Sequence, residues 1–382
     1  MARQISDRST DTDRLRGAKR IVIKIGSALF IDQQTGALDG DWLEALCEDV
    51  SWLSEAGKEI VLVSSGAVAL GARELGLDAR RARLEDNQAA AAAGQILLAH
   101  AYHDALGRLG LTAAQVLLTL DDSESRRRYL NACTTLLTLL DRGAVPVVNE
   151  NDTVATQELR YGDNDRLAAR VAQMVSADCM VLLSDVDGLY TRDPQHNDDA
   201  EHVPEVADVD ARIRNMAGGP GSALGSGGMH TKLDAARIAI RAGCRMAITS
   251  GRVRRPLKAL SEGGRATWFL STATPAAARK QWIAGTLKPK GSVSVDAGAE
   301  DALASGRSLL PAGVTSVDGQ FERGDAVRVL SGIGVEVGRG LIAYSSDEAR
   351  EIAGKQSRLI ESVLGYRGRD EMIHRDDLVL MH

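Results

Sequence analysis

At 382 residues the chain is long enough for two or three domains and a sizeable buried core, and its 44% hydrophobic and 26% charged residues are those of ordinary soluble proteins rather than disordered or fibrous ones. No run reaches the roughly 18 consecutive apolar residues of a membrane-spanning helix, and a net charge of −6 offers no attraction to nucleic acid or anionic lipid. Cys47, Cys133, Cys179 and Cys244 are far apart and form no CxxC pair, which fits free thiols in a reducing compartment, the cytoplasm, and not disulfides or a zinc site.

The first 18 residues mix acidic and basic side chains without an apolar centre. They match neither a secretory signal nor a transit peptide and are expected to be a disordered tail. From residue 20 to about 250, short β-branched runs alternate with helical patterns: IVIKI at 21–25, EIVLVSS at 59–65, VPVVN at 145–149, MVLLSD at 180–185 and RMAITS at 245–250. Strands that are apolar throughout and separated by helices indicate a parallel sheet covered on both faces. The expected fold is therefore α/β, a three-layer αβα sandwich around a mainly parallel sheet. In such sheets ligands bind beyond the carboxyl ends of the strands, so the residues that follow each run carry the interest.

Lys24, near the end of the first strand, is followed by Gly26 and Ser27, which sets a cation beside backbone N–H groups able to approach a phosphate. Taken alone, this is also how a surface lysine at a strand end looks. The second run ends in Ser64, Ser65 and Gly66 before a helix, an arrangement suited to a carboxylate or phosphate, or to plain helix capping. PVVNENDTVAT and then YGDNDRLAA set Asn149, Glu150, Asn151, Asp152, Asp163, Asn164 and Asp165 after one strand and at the start of the next helix. That exceeds what capping a turn requires and suits the ammonium and carboxylate of an amino acid. SDVDGLYTRDP at 184–194 delivers Ser184 and Asp185 to the same edge; it lacks the ligand spacing and terminal Glu of a calcium loop and is read as nucleotide-binding. GGPGSALGSGGMHTK at 218–232 is a glycine-rich loop leading into a helix in which Met229, Leu233, Ala236 and Ile240 keep helical spacing and Gly243 is placed to end it. Its amides can cradle phosphate oxygens while Lys232 neutralises charge, with a flexible linker as the plain alternative. It is not a Walker A loop, because no glycine directly precedes Lys232.

After about residue 265 the pattern changes to short alternating segments such as SVSV and DAVRVL punctuated by glycine, which reads as a small β-rich second domain with a boundary between 275 and 290. Two further strings are set aside. His374, Arg375 and Asp376 spell the HRD of protein kinases, but only six residues follow and there is no DFG. His100 and His103 can share a helix face, yet no third metal ligand lies near them in sequence.

In their order, KIGS, SSGA, NEND, GDND, SDVDGLYTRDP and GSGGMHTK resemble the amino acid kinase family, and within it the kinases that phosphorylate the side-chain carboxylate of L-glutamate and carry a C-terminal PUA domain. Ser64 and Ser184 stand where those kinases usually have Thr, and Ser226 and His230 vary within the glycine loop. The resemblance implies five segments: a tail at 1–18, a kinase domain at 19–275, a linker at 276–289, a PUA-like barrel at 290–368 and a C-terminal tail at 369–382. It assigns Lys24, Ser184, Asp185, Ser226, Gly227, Gly228, Met229, His230, Thr231 and Lys232 to ATP, and Ser65, Asp152, Asn164, Asn149 and Asp163 to glutamate. Asp165 would organise the two lysines, and Lys24, Lys232 and Asp165 would be the catalytic set. Mg²⁺ is expected on the ATP phosphates without a dedicated protein site. The implied partners are proline as feedback inhibitor, a homo-oligomer (dimer or tetramer) and glutamyl-phosphate reductase. RNA, which PUA domains often contact, is not expected: residues 290–368 hold nine basic and eleven acidic side chains, without the basic excess that phosphate binding needs.

Overall fold

A computed structural model of the chain describes residues 14–32, 35–77, 82–154, 164–217, 228–286 and 288–381. These residues divide into two compact units, one reaching to Glu124 and including Asn131–Pro275, the other made of Ser125–Leu130 with the chain from Ala276 onward.

In the first unit β1 (Arg20–Ile25), β2 (Glu59–Ser64), β3 (Ala113–Leu118), β4 (Val145–Glu150) and β5 (Cys179–Ser184) are parallel neighbours, and the small pair β6 (Leu189–Tyr190) and β7 (His202–Val203) follows β5. With β8 (Glu205–Val206), β9 (Arg245–Ser250) and β10 (Ala266–Phe269), the described residues form an eight-stranded sheet in the order β3-β4-β2-β1-β5-β9-β10-β8. It is mainly parallel, with β10 antiparallel to β9. Every residue of β4 and β5 is buried, as expected of strands covered on both faces. Pro146, which has no N–H to give, lies ahead of the register that joins β4 to β2, Leu62↔Val147 and Val63↔Val148.

The chain runs outward from β1 to β2 on one side and later fills β5 and β9 on the other, so the strand order reverses beside β1. That is where an open α/β sheet leaves a crevice at its carboxyl edge. Register brings the functional ends together there: Ile25 is level with Ser64 on one side and Leu183 on the other, and Ser184 with Ser250.

The helices cover the sheet with apolar faces. Asn164–Met174 buries Leu167, Ala168, Val171 and Ala172, and Met229–Arg241 buries Leu233, Ala235, Ala236 and Ala239. The second of these ends as its sequence demands: Gly243 has φ +79°, and a Cβ there would lie 2.5 Å from the Thr274 backbone.

In the second unit β11 (Gly291–Val295), β12 (Val314–Gly319), β13 (Ala326–Leu330), β14 (Glu336–Leu341) and β15 (Leu378–Leu380) form a sheet in the order β12-β11-β13-β14-β15 around Val293, Val327, Val329, Ile342 and Tyr344.

Three assignments at segment ends need correction. Residues 369–382 are not a tail: Met372 and Ile373 are fully buried, and β15 pairs with β14 at Gly338↔Leu380 and Gly340↔Leu378. Within the supposed linker, Pro275–Thr286 is a helix with Ile283 fully buried, and its Arg279 Nε donates to Asp377 Oδ1 at 3.1 Å. At the other end Leu15 and Ala18 are buried in the core of the first unit, so the polar tail does not extend to residue 18; residues 1–13 lie outside the described residues.

Candidate active site

Lys24 reaches the crevice from β1, and Asp165 and Lys232 from the first turns of the helices Asn164–Met174 and Met229–Arg241. Asp165 takes the two ammonium groups on its two oxygens: Lys24 Nζ lies 2.6 Å from Oδ1 and Lys232 Nζ 3.0 Å from Oδ2. All three residues are buried, with exposures of 8%, 0% and 6% for Lys24, Asp165 and Lys232. Burial alone would push the Asp165 carboxyl up, but the two ammonium groups outweigh it and hold the carboxyl below the ordinary carboxylate range. The helix start adds to this, since backbone N–H groups there favour negative charge. Thr231 Oγ1 donates to the Gly228 carbonyl at 2.7 Å, which ties the first turn of the lysine-bearing helix. Two cations share one anion here, which leaves this three-residue cluster with net positive charge where an anionic ligand would be received.

Next to this cluster lies a network of neutral groups. Asn164 Nδ2 donates to the Ser64 carbonyl at 2.6 Å, to Ser65 Oγ at 2.8 Å and to Asn149 Oδ1 at 2.9 Å. Asn149 Oδ1 also accepts from the Glu150 N–H at 2.9 Å, and Asn149 Nδ2 donates to Gln95 Oε1 at 2.8 Å. Ser64 itself is fully buried and its hydroxyl lies 3.0 Å from Tyr102 OH, so its departure from Thr falls behind the site. Gly66 starts the next helix at φ +104°, where a Cβ would lie 2.2 Å from Ile31 Cδ1; glycine is required for the chain to turn directly after Ser65.

Across β1, Ser184 Oγ donates to Asp185 Oδ1 at 3.0 Å at the end of β5; Ser184 is buried and Asp185 exposed. Gly228, Met229 and Thr231 are half-buried and His230 is exposed. The fold thus brings Lys24, Ser65, Asn149, Asn164, Asp165, Ser184, Asp185 and Lys232 to one sheet edge, with Asp152 two residues beyond β4. Asp163, Ser226 and Gly227 lie outside the described residues.

Sequence reading passed over Gln95, which sits in the helix Leu84–Gly107 within an alanine-rich run. A signal existed: Ala91, Gln95, Leu98 and Tyr102 recur at helical spacing and are all buried, so Gln95 is the polar member of an inward stripe.

The amino acid kinase family model matches residues 19–250, and the PUA domain model residues 291–364. A glutamate 5-kinase of Paramagnetospirillum magneticum is 62% identical over 366 residues, covering 96% of this chain and 99% of that protein. A glutamate 5-kinase of Rhodopseudomonas palustris (strain BisB5) is 55% identical over 367 residues, covering 96% and 98%, and one of Agrobacterium fabrum 56% over 361 residues, covering 94% and 92%.

Proposed function

This chain belongs to the amino acid kinase family, and we propose that Lys24, Lys232 and Asp165 perform its phosphoryl transfer. The reaction is ATP-dependent phosphorylation of the side-chain carboxylate of L-glutamate to L-glutamyl 5-phosphate, the first step of proline biosynthesis. The observation that carries the proposal is the pair of ammonium groups held on Asp165 at 2.6 and 3.0 Å.

A glutamate side chain has a reference pKa of about 4.3, so at neutral pH it is already the nucleophile and needs no general base. Its oxygen attacks the γ-phosphorus, the bond to the bridging oxygen breaks and ADP leaves. The barrier lies in bringing one anion onto another. Lys24 and Lys232 offset that charge from two sides, and their shared carboxylate keeps them aligned. Asp165 moves no proton, because its carboxyl is held below the ordinary range. Both of its oxygens face lysines, so Asp165 would not hold Mg²⁺, which would come with ATP and would supply further charge neutralisation.

Ser184, Asp185, Ser226, Gly227, Gly228, Met229, His230 and Thr231 complete the nucleotide site in this reading, and Ser65, Asp152, Asn164, Asn149 and Asp163 the glutamate site. Proline, which shares the α-carboxylate and ammonium of glutamate, competes around Asp152 and Asn164. A homo-oligomer, a cytoplasmic location and delivery of the labile acyl phosphate to glutamyl-phosphate reductase belong to the same reading. No described helix is long and apolar enough to cross a membrane.

Trapping with hydroxylamine tests the reading. Purified protein with Mg-ATP should give glutamyl hydroxamate faster than the hydroxamates of aspartate or acetylglutamate; equal or slower glutamate turnover would overturn it.

A further inference from the structure

The orientation of the amides beside the lysines is dictated by groups that cannot change role. A backbone N–H can only donate, so Asn149 must turn Oδ1 to the Glu150 N–H, 2.9 Å away. Its Nδ2 is thereby committed to Gln95, whose Oε1 accepts at 2.8 Å. A backbone carbonyl can only accept, so Asn164 must turn Nδ2 to Ser64 O, and the same nitrogen serves Asn149 Oδ1 and Ser65 Oγ. Asn164 then keeps Oδ1, an acceptor with no bond to any described residue. Ser65, having accepted, keeps its hydroxyl proton to donate. An acceptor next to a donor complements a zwitterion: an ammonium at Asn164 and a carboxylate at Ser65.

We propose that Gln95 is the positioning residue that holds Asn149, and through it Asn164, in place for this donor–acceptor pair, making the site selective for the free α-amino acid end of its substrate. The proposal rests on the reading that Ser65 and Asn164 hold glutamate. Asn149 is 3% exposed, so without the Gln95 acceptor its Nδ2 is a buried donor that has lost its partner. The amide then gains by shifting toward another acceptor, which withdraws Asn149 Oδ1 from Asn164 and leaves Asn164 held only by Ser64 and Ser65. Gln95 is well held for the task. A Cβ at the preceding Gly94 would lie 1.8 Å from the Ala67 carbonyl, and one at Gly71 1.7 Å from the Ala90 carbonyl. The two helices therefore touch backbone to backbone, and the one that begins just after Ser65 and Gly66 is fixed in depth against the one that carries Gln95. On its other side Gln95 borders a cavity of about 180 Å³ lined by Ala99, His103, Ala113, Gln115 and Val147, which gives a substituted side chain room to settle.

The test compares Gln95→Met with Gln95→Glu in the full chain. Gln95→Met keeps the length and removes the acceptor; KM for glutamate should rise about tenfold, while kcat and KM for ATP stay within about twofold, the pattern of lost ground-state binding. Gln95→Glu keeps an acceptor at the same place and should return KM to within about threefold of the parent. Gln95→Ala, which removes the same acceptor without filling its space, should match Gln95→Met, and it reports the same quantity if Met disturbs the packing. The proposal is overturned if KM for glutamate does not move in Met and Ala, or if Glu is as impaired as Met. It is also overturned if kcat and the thermal midpoint fall while both KM values rise together, which marks a packing role. A parent chain that fails to phosphorylate glutamate would instead sink the proposed function, so the two failures are distinct.

Discussion

In the Lys24, Asp165 and Lys232 cluster the polar groups are full charges, with N···O separations of 2.6 and 3.0 Å, whereas in the chain from Gln95 through Asn149 and Asn164 to Ser65 every member is neutral and every link is a directional bond of 2.8 or 2.9 Å. Both clusters are largely buried at the same sheet edge, so solvation does not explain the contrast. Charge acts in all directions and is strongest where new charge develops. Amides act along one line and can tell a donor from an acceptor. The first kind of cluster is suited to a transition state, the second to recognising a ground state, and the two should fail differently when broken.

The largest effect is expected at the lysines. Lys24→Ala or Lys232→Ala should lower kcat on the order of a hundredfold or more, the scale of a lost electrostatic stabiliser, with circular dichroism unchanged. A variant in which kcat holds and only KM rises would reduce that lysine to binding and erase the contrast for that residue.

Asp165→Asn comes next and separates stability from chemistry. It leaves two buried ammonium groups without their anion, which should cost roughly 3–5 kcal/mol of stability in urea unfolding. The sign with pH follows from its lowered carboxyl: the native pKa lies below the unfolded value of about 3.9. The stabilisation is complete above that pH and is lost as pH falls through the lower native value. The parent should therefore lose urea resistance more steeply than Asp165→Asn below about pH 4. Parallel curves would mean that Asp165 is not charged as the geometry requires.

Ser65→Ala probes the neutral side. It removes one donor to a bound carboxylate and should raise KM for glutamate about tenfold, leaving kcat and KM for ATP near the parent values. A fall in kcat without a change in KM would move Ser65 into the charged camp.

The two clusters also differ in how far their residues could be read. Lys24, Asp165 and Lys232 were legible because each stands at a conspicuous place: a cation ending a strand, an acid opening a helix, a lysine after a glycine-rich loop. The sheet was legible from its apolar runs, Val145–Val148 in β4 and Cys179–Leu183 in β5, which turn polar only at the carboxyl ends. Gln95 was not, because one glutamine in a run of alanines matters only through the depth of a helix crossing, and depth is set by Gly71 and Gly94, which are far apart in sequence. The last strand was hidden by its length: Leu378–Leu380 is three residues with no periodicity to detect, and a charged neighbourhood made it look like a tail. What escaped depends on partners distant along the chain.

The smallest catalytic effect is expected in the second unit, which contributes none of the residues assigned to chemistry. Its helix Pro275–Thr286 is tied to the segment before β15 by Arg279 and Asp377, whose side chains are only 15% and 11% exposed. Asp377→Ala leaves the Arg279 guanidinium without this carboxylate in a poorly solvated place, which should cost about 1–3 kcal/mol of stability in this unit. Unfolding followed by Trp282 fluorescence should shift accordingly, because Trp282 lies in the same helix. Under native conditions kcat and both KM values should stay within about twofold of the parent, since none of the residues assigned to chemistry belongs to this unit. If catalysis falls in step with the fluorescence transition, the β-rich unit takes part in setting the site, and the division of labour between charge and amides would need a third member.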